Sequence, residues 1–453
     1  MDARIRGLIW LSIALLVAAC GGGGGGGGSE PINTAPVAAF TATPNAGLAA
    51  LTVSLNASDS RDSDGQITTY SWNFGDSSAS GSGAVATHVF QNTGQYTVTL
   101  TVTDNRGATN STSTTVTVRS IAAATRYGVK FLPFTGSEYQ YMNPVAMNDS
   151  GHVVGEIDVL GSVGSRMNGF VYADGVTREL GTLGGSDSAA WGINNADTIV
   201  GFSLTPAGAQ RAVRFEGGAT IDLGTLAGDS AAFAINAAGQ TVGSAFDGAG
   251  QLHAVVFESG AVTDIGTLGG VNAMAFAAND SGQIVGQSAT AAGKVHAFLF
   301  RNGQMEDLGT LGGDESSAVD INKAGQILGL SQANFATGEP GYPYLVGFIY
   351  QNGVKTEIRP TTARDIYPSA INDLGQAIGL IAETDVLDGF PFVWHSSTGI
   401  RNLNDLIDPA IGCRLLTAVD INSSGQIVGG ADCEAGRYPW DDSFITVLLT
   451  PES

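Results

Sequence analysis

The stretch "INKAGQILGLS" occupies residues 321–331, "INDLGQAIGLI" residues 371–381 and "INSSGQIVGGA" residues 421–431. Looser copies lie upstream. The Asn of the motif recurs as Asn148, Asn194, Asn236, Asn279, Asn322, Asn372 and Asn422, preceded by Met147, Ile193, Ile235, Ala278, Ile321, Ile371 and Ile421. The spacings are 46, 42, 43, 43, 50 and 50 residues, a period that marks a repeat architecture. One copy reads as four short strands: "SAVDIN" (317–322), "QILGLS" (326–331), "GFIYQNG" (347–353) and "VKTEI" (354–358). Asn suits the first position of a type I turn, and the following Gly closes a bulge in the left-handed region. In the second copy Asp197 takes the Gly slot, and Asp tolerates that conformation better than most residues. The motif recurs because every copy has to make the same turn.

Four antiparallel strands in about 43 residues match a propeller blade, which buries both faces only when stacked on its neighbours. The ends carry the missing pieces of one more sheet. "RYGVKFLPF" (126–134) reads as a fourth strand with nothing before it, and "SFITVLLT" (443–450) as a third with nothing after it. Paired, they close a seven-bladed β-propeller without an open edge. A linear solenoid is the alternative. The small residues of "IVG" and "LGG" are expected to permit close packing near the axis.

The segment "HAFLFRNGQMEDLGTLGGDESSAVDINKAGQILG" (296–329) resembles the HAF repeat of extracellular bacterial proteins, with weaker copies at 253–270 and 211–228. The resemblance spans 127–449 and implies export, but no chemistry.

Residues 35–118 alternate as strands do: "LTVSLNAS", "ITTYSWNF", "QYTVTLTVTD" and "STTVTV". "YSWNFGD" (70–76) and "HVFQNTGQYTVTLTVTDNRG" (88–107) resemble the PKD domain, which implies an Ig-like β-sandwich acting as spacer or binding module. Asn73 and Ser77 stand where that family usually has Asp and Gly. Trp72, Tyr96, Val98, Leu100 and Val102 are expected in its core. Asp59, Asp62 and Asp64 share one loop and could hold Ca²⁺, the one cofactor the sequence offers. Asp as a turn former is the competing reading.

At the start, Arg4 and Arg6 precede the apolar run "GLIWLSIALLVAA", which is too short to span a bilayer and suits a signal peptide. It ends in "VAAC" (17–20), which resembles a bacterial lipobox. The resemblance implies a signal over 1–19 and lipidation of Cys20. Gly21 to Gly28 then form a flexible tether within 20–34. A non-Asp residue after Cys20 implies the outer membrane, periplasmic or surface-exposed. Residues 119–126 read as a linker and 127–450 as the propeller. Of three Cys in 453 residues, Cys413 and Cys433 are left for one disulfide. Counting outward from Ile421 opposite Gln426 places them across one hairpin mouth.

Acidic residues outnumber basic ones 42 to 20, a net charge of −22, which argues against nucleic acid as a partner. The partners expected are the membrane through the anchor, and a polysaccharide or an envelope or extracellular protein. In a four-stranded meander alternate connections emerge on opposite faces. The connections at 134–144, 156–169, 331–346, 380–391, 402–416 and 430–443 vary in length, so their face is expected to be the recognition face. Its aromatic and acidic residues suit sugars: Tyr342, Tyr344, Phe390, Asp388, Tyr438, Trp440, Asp441 and Asp442. No Gly-x-Ser-x-Gly elbow, Walker loop or His-Glu-x-x-His is present. The expectation is therefore a non-catalytic glycan- or protein-binding envelope lipoprotein. The alternative is a polysaccharide-degrading glycosidase or lyase with convergent carboxylates.

Overall fold

The computed structural model describes residues 33–48, 51–91, 94–119, 126–133, 139–161, 164–258, 260–333, 344–360, 365–382, 389–433 and 445–452. The chain divides into two compact units, residues up to 120 and from 121 on. Both are built from strands. The only helices among the described residues are 3₁₀ turns at Leu403–Leu406 and Pro409–Ile411, inside a connection the sequence reads as loop. No helix among the described residues is long and apolar enough to cross a membrane.

The first unit is an Ig-like sandwich. A three-stranded sheet (Thr41–Thr43, Leu51–Asn56, Val85–Phe90) faces a five-stranded one whose long central strands are Gly94–Asp104 and Ile67–Asn73. Alternation of apolar and hydroxyl residues sorts the faces. Val98, Leu100 and Val102 are fully buried with Trp72, whose indole N–H donates to Gly83 O at 2.8 Å. Tyr96 is only half-buried and packs on the edge of that core.

The second unit contains seven four-stranded antiparallel sheets. The expected repeat strands are present in each, the copy read above forming Gly312–Ile321, Ile327–Ala333, Tyr344–Gln351 and Val354–Ile358. In the seventh sheet, Ile445–Glu452 pairs with Arg126–Phe131, so the two ends of the unit share one sheet. The first strands of the sheets contact one another in cyclic order, the seventh touching the first. The arrangement is propeller-like, with these first strands innermost.

The repeated Asn has a second task beyond its turn. Its Oδ1 accepts backbone N–H groups two and four residues on, as in Asn372 with Leu374 and Gln376. Its Nδ2 donates to the backbone carbonyl of the next sheet's Asn. These bonds run Asn148 to Asn194, then Asn236, Asn279, Asn322, Asn372 and Asn422, and from Asn422 back to Asn148, at 3.0–3.2 Å throughout. The turn Gly residues take positive φ as the type I plus bulge geometry requires, for example 75° at Gly325, and Asp197 takes 59° in the same slot.

A bulge three residues before the Asn fixes the Gly of "IVG". It presses the inner-strand carbonyl of Ala189 onto Gly201, and of Thr417 onto Gly429, where a Cβ would collide. All seven sheets repeat this contact. The register also differs from the expected one: at the turn, closed by Asn422 N–H to Gln426 O, Ile421 pairs with Ile427 rather than Gln426, and two one-residue shifts at bulges then bring Cys413 opposite Cys433. The segment 156–169 is likewise not a loop; Val153–Gly161 and Gly164–Ala173 pair along most of it.

Replacing Asn372 by Ala removes four hydrogen bonds and leaves buried backbone groups unpaired. It is expected to destabilise the repeat unit by about 3 kcal/mol, read as a lowered denaturant midpoint with the sandwich transition unchanged.

Candidate functional site

The seven Asn turns converge on one end of the axis. They line a pocket of about 230 Å³ together with the residue before and after each Asn. The residues after Asn are Asp149, Asn195, Ala237, Asp280, Lys323, Asp373 and Ser423. Several cap the neighbouring turn: Asp373 Oδ1 accepts Lys323 N–H at 3.0 Å, and Asp149 Oδ1 accepts Ser423 N–H at 2.9 Å. Lys323 pairs with Asp373 at 3.1 Å and also feels Asp280 and Asp149. Burial works against its charge, but these carboxylates hold its pKa above the ordinary lysine value. Burial likewise disfavours the Asp149 carboxylate, and bonds from Ser423 and Asn195 with the Lys323 charge outweigh it and lower its pKa. One cation, Lys323, therefore faces three carboxylates at this end, Asp149, Asp280 and Asp373.

The inner strands also carry a half-buried aromatic row. Trp191, Phe233 and Phe276 occupy the bulge position, three residues before the Asn, in the second, third and fourth sheets. Their ring centroids lie 5.4 and 5.9 Å apart in succession. Trp191 also tilts against Phe202 at 4.8 Å, and its indole N–H donates to Glu156 Oε1 at 2.8 Å. Desolvation and then the Glu156 charge raise the Tyr141 pKa, which places that exposed phenol beside the same carboxylate. Aromatic faces beside a carboxylate can stack on apolar ligand surfaces and accept ligand hydrogen bonds. The sequence reading missed this row because these residues sit at bulges, which interrupt the two-residue alternation.

Of the residues expected to bind ligand, Tyr342, Asp388, Tyr438, Trp440, Asp441 and Asp442 lie outside the described residues, as does Cys20. Tyr344 is half-buried at the start of its strand, opposite Ala333. Phe390 is half-buried and lines a cleft of about 470 Å³ with Asn402, Asn404, Cys413 and Arg414. Tyr344 is not among the residues of that cleft, so the structure brings Phe390 to the disulfide but not to Tyr344. Cys413 and Cys433 are joined by a disulfide. His253 and His296 hold the same place near the start of the third strand in their sheets and bond Asp264 at 2.7 Å and Asp307 at 2.9 Å, tying third strand to fourth.

In the sandwich, Asp62 Oδ1 accepts Asp64 N–H, and Asp64 accepts from Thr34 N and Arg106 Nη1. Asp59 is exposed. Among the described residues no three His, Cys, Asp or Glu side chains group as a metal site. Asp62 Oδ2 and the nearby loop's Asn33 Oδ1 are nonetheless buried without a protein partner, while Asn33 Nδ2 donates to Asp104 at 2.8 Å.

Residues 33–119 match the PKD domain family, so the first unit is a PKD domain. A 66-residue stretch is 44% identical to collagenase ColA of Clostridium perfringens (strain 13 / Type A), covering 15% of this chain and 6% of that protein. A 76-residue stretch is 37% identical to collagenase ColA of Bacillus cereus, covering 17% and 8%. The chain thus spans less than a tenth of the length of these curated relatives. Among solved structures, the PKD1 domain of Vibrio anguillarum Epp is 39% identical, covering 20% of this chain and 99% of that one with a TM-score of 0.18. The β-propeller domain of the Trilobed protease from Pyrococcus furiosus is 10% identical, covering 70% and 95% with a TM-score of 0.50, a likeness of fold alone.

Opening the Cys413–Cys433 bridge by replacing both Cys with Ser frees a hairpin whose ends are 20 residues apart. The expected loss is about 3 kcal/mol, measured by denaturant unfolding with and without reductant.

Proposed function

We propose that the repeat unit is a closed seven-bladed propeller that presents an aromatic and acidic recognition surface for glycan or protein, without catalysis. The chain would be an envelope lipoprotein, anchored through Cys20 to the outer membrane and carrying the PKD domain on the poly-Gly tether. The observation that carries the recognition reading is the half-buried row Trp191–Phe233–Phe276 with Glu156 fixed to the indole. A contiguous run of partly accessible aromatic rings offers an apolar face of the kind that ligand sites use. The PKD match supports the same class, because such domains accompany extracellular proteins such as the collagenases named above. Tyr344, Phe390, Asp388, Tyr342 and the stretch Tyr438–Asp442 would extend the surface.

Oligosaccharide-array binding followed by calorimetry tests this. Binding by the unaltered chain, weakened about tenfold or more in Trp191→Ala and unaccompanied by any bond cleavage, is the expected result. Hydrolysis or elimination products would overturn the non-catalytic reading in favour of a glycosidase or lyase. Loss of binding on mutating only Phe390 would move the surface to the disulfide cleft.

The Asp59–Asp64 loop is proposed to take Ca²⁺, on the strength of the partnerless oxygens of Asp62 and Asn33. Calcium added to chelator-treated protein should raise the melting temperature of the PKD domain, an effect absent in Asp62→Ala. An unchanged melting temperature removes the calcium reading.

A further inference from the structure

Two carboxylates sit where the other repeats have none. Two residues before the motif Asn, five sheets carry Ala146, Gly192, Ala234, Ala277 and Ala370, while the fifth and seventh carry Asp320 and Asp420. Each Asp clasps the next sheet. Asp320 Oδ2 accepts Ile371 N–H at 2.8 Å, and Asp420 Oδ2 accepts Met147 N–H at 2.7 Å. The other oxygen of each accepts the following residue's own N–H, Ile321 and Ile421, both at 2.7 Å. The Asp420 bond crosses from the sheet shared by the two chain ends to the first sheet. It lies at the closing junction of the ring.

Their surroundings supply no opposite charge. The charged groups acting on Asp420 are Asp320 and Asp149, and the one acting on Asp320 is Asp373. The inner strands on either side of Asp420, Tyr139–Met147 and Ile366–Ile371, contain tyrosines but no charged residue. The inner strand on the far side of Asp320, Gly269–Ala278, contains none either. In the Asp420 hairpin, Arg414 and Asp432 face each other at the far end. Lys323, the nearby cation, is engaged by Asp373. A carboxylate enclosed among like charges is disfavoured unless it takes up a proton or a cation.

We propose that Asp420, with Asp320 in support, makes ring closure proton-linked: the junction between the seventh and first sheets holds in the protonated state and weakens as the carboxyl ionises. Protonated on Oδ1, the acid gives up the bond from Ile421 N–H but still accepts Met147 N–H through its carbonyl Oδ2, so the clasp between sheets persists while the repulsion of Asp420 by Asp320 and Asp149 disappears. Burial, then the Asp320 charge against the opposing Met147 N–H, pushes the Asp420 pKa up to about 7, and burial raises that of Asp320. The unfolded chain loses this proton near the ordinary Asp value of about 4. Between these values the folded state binds the extra proton, so stability falls as pH rises through that window and is level above it.

The test is unfolding of the full chain from about pH 5 to 8, compared with Asp420→Asn and Asp320→Asn. Relative to Asp420→Asn, the unaltered repeat unit should lose about tenfold in its folding equilibrium constant per pH unit up to about 7. Asp320→Asn should move that window to lower pH. Parallel pH profiles for the unaltered chain and Asp420→Asn overturn the proposal. Should Asp420→Asn fail to fold, carbon NMR of Asp-labelled unaltered protein decides. A carboxyl titrating near neutrality is expected, and none titrating above about pH 5 overturns it. Addition of Ca²⁺ that abolishes the window would also overturn it, since a cation rather than a proton would then satisfy the pair.

Discussion

The fold of the repeat unit depends on one side-chain amide used at both ends. The oxygen of each motif Asn organises its own hairpin, and the nitrogen fastens that hairpin to the next sheet. Only a group with donor and acceptor on the same short stem does both. Asp would offer two acceptors and face a carbonyl with the wrong polarity; Ser would not reach. Because the seven donations form a cycle, each sheet is tied to both of its neighbours through the same side chain. The pattern changes in the first two repeats, where His152 and Thr198 stand four residues after the Asn, and in the first the change is compensated. Five repeats supply a Gln four residues after the Asn, and in four of them its side chain accepts firmly from the Asn nitrogen. The first repeat has His152 there instead, and Asp197 of the following repeat accepts from Asn148 and from His152, both at 2.7 Å. The Asp in the Gly slot is therefore an interaction and not merely a tolerated turn residue.

On that symmetric frame the inner wall is asymmetric. The second to fourth sheets put Trp191, Phe233 and Phe276 at the bulge position. From the fifth sheet round to the first that position holds Val319, Ser369, Val419 and Val145, and polar ties join neighbouring sheets: Asp320 to Ile371, Ser369 Oγ to Ala418 O at 2.8 Å, and Asp420 to Met147. Apolar stacking is indifferent to pH, whereas carboxyl clasps are not. Both Asp clasps lie in this part of the unit, which includes the sheet shared by the chain ends.

Much of this is legible in the sequence for a physical reason. A turn that needs Asn and Gly writes itself into every copy, and strand alternation in the PKD domain sorts core from surface in the same way. The orphan strands 126–134 and 443–450 could be paired because an unsatisfied edge is costly. What the sequence hides is whatever depends on the bulge. Beyond the turn it shifts the register by one residue, and it carries Trp191, Phe233 and Phe276, whose rings follow one another across three sheets. It is also why the "IVG" Gly is obligatory, since the displaced carbonyl fills the space of a Cβ. Length variation in the sequence points to the connections, where scaffolds usually vary, while the aromatic row sits on the scaffold itself.

Turn and clamp positions are fixed by the contacts between sheets, so variation is concentrated elsewhere. The bulge residue falls outside the paired register and occurs as Val, Trp, Phe and Ser among the repeats. Three successive large rings there cost the fold little and place a continuous apolar surface beside Glu156. The position two before the Asn is tighter, as the contact of Gly192 with the backbone of Phe233 and Ala234 shows, and admits Asp only where a neighbouring N–H receives it. One free position and one constrained position, side by side on every inner strand, are enough to give a symmetric ring a chemically distinct wall.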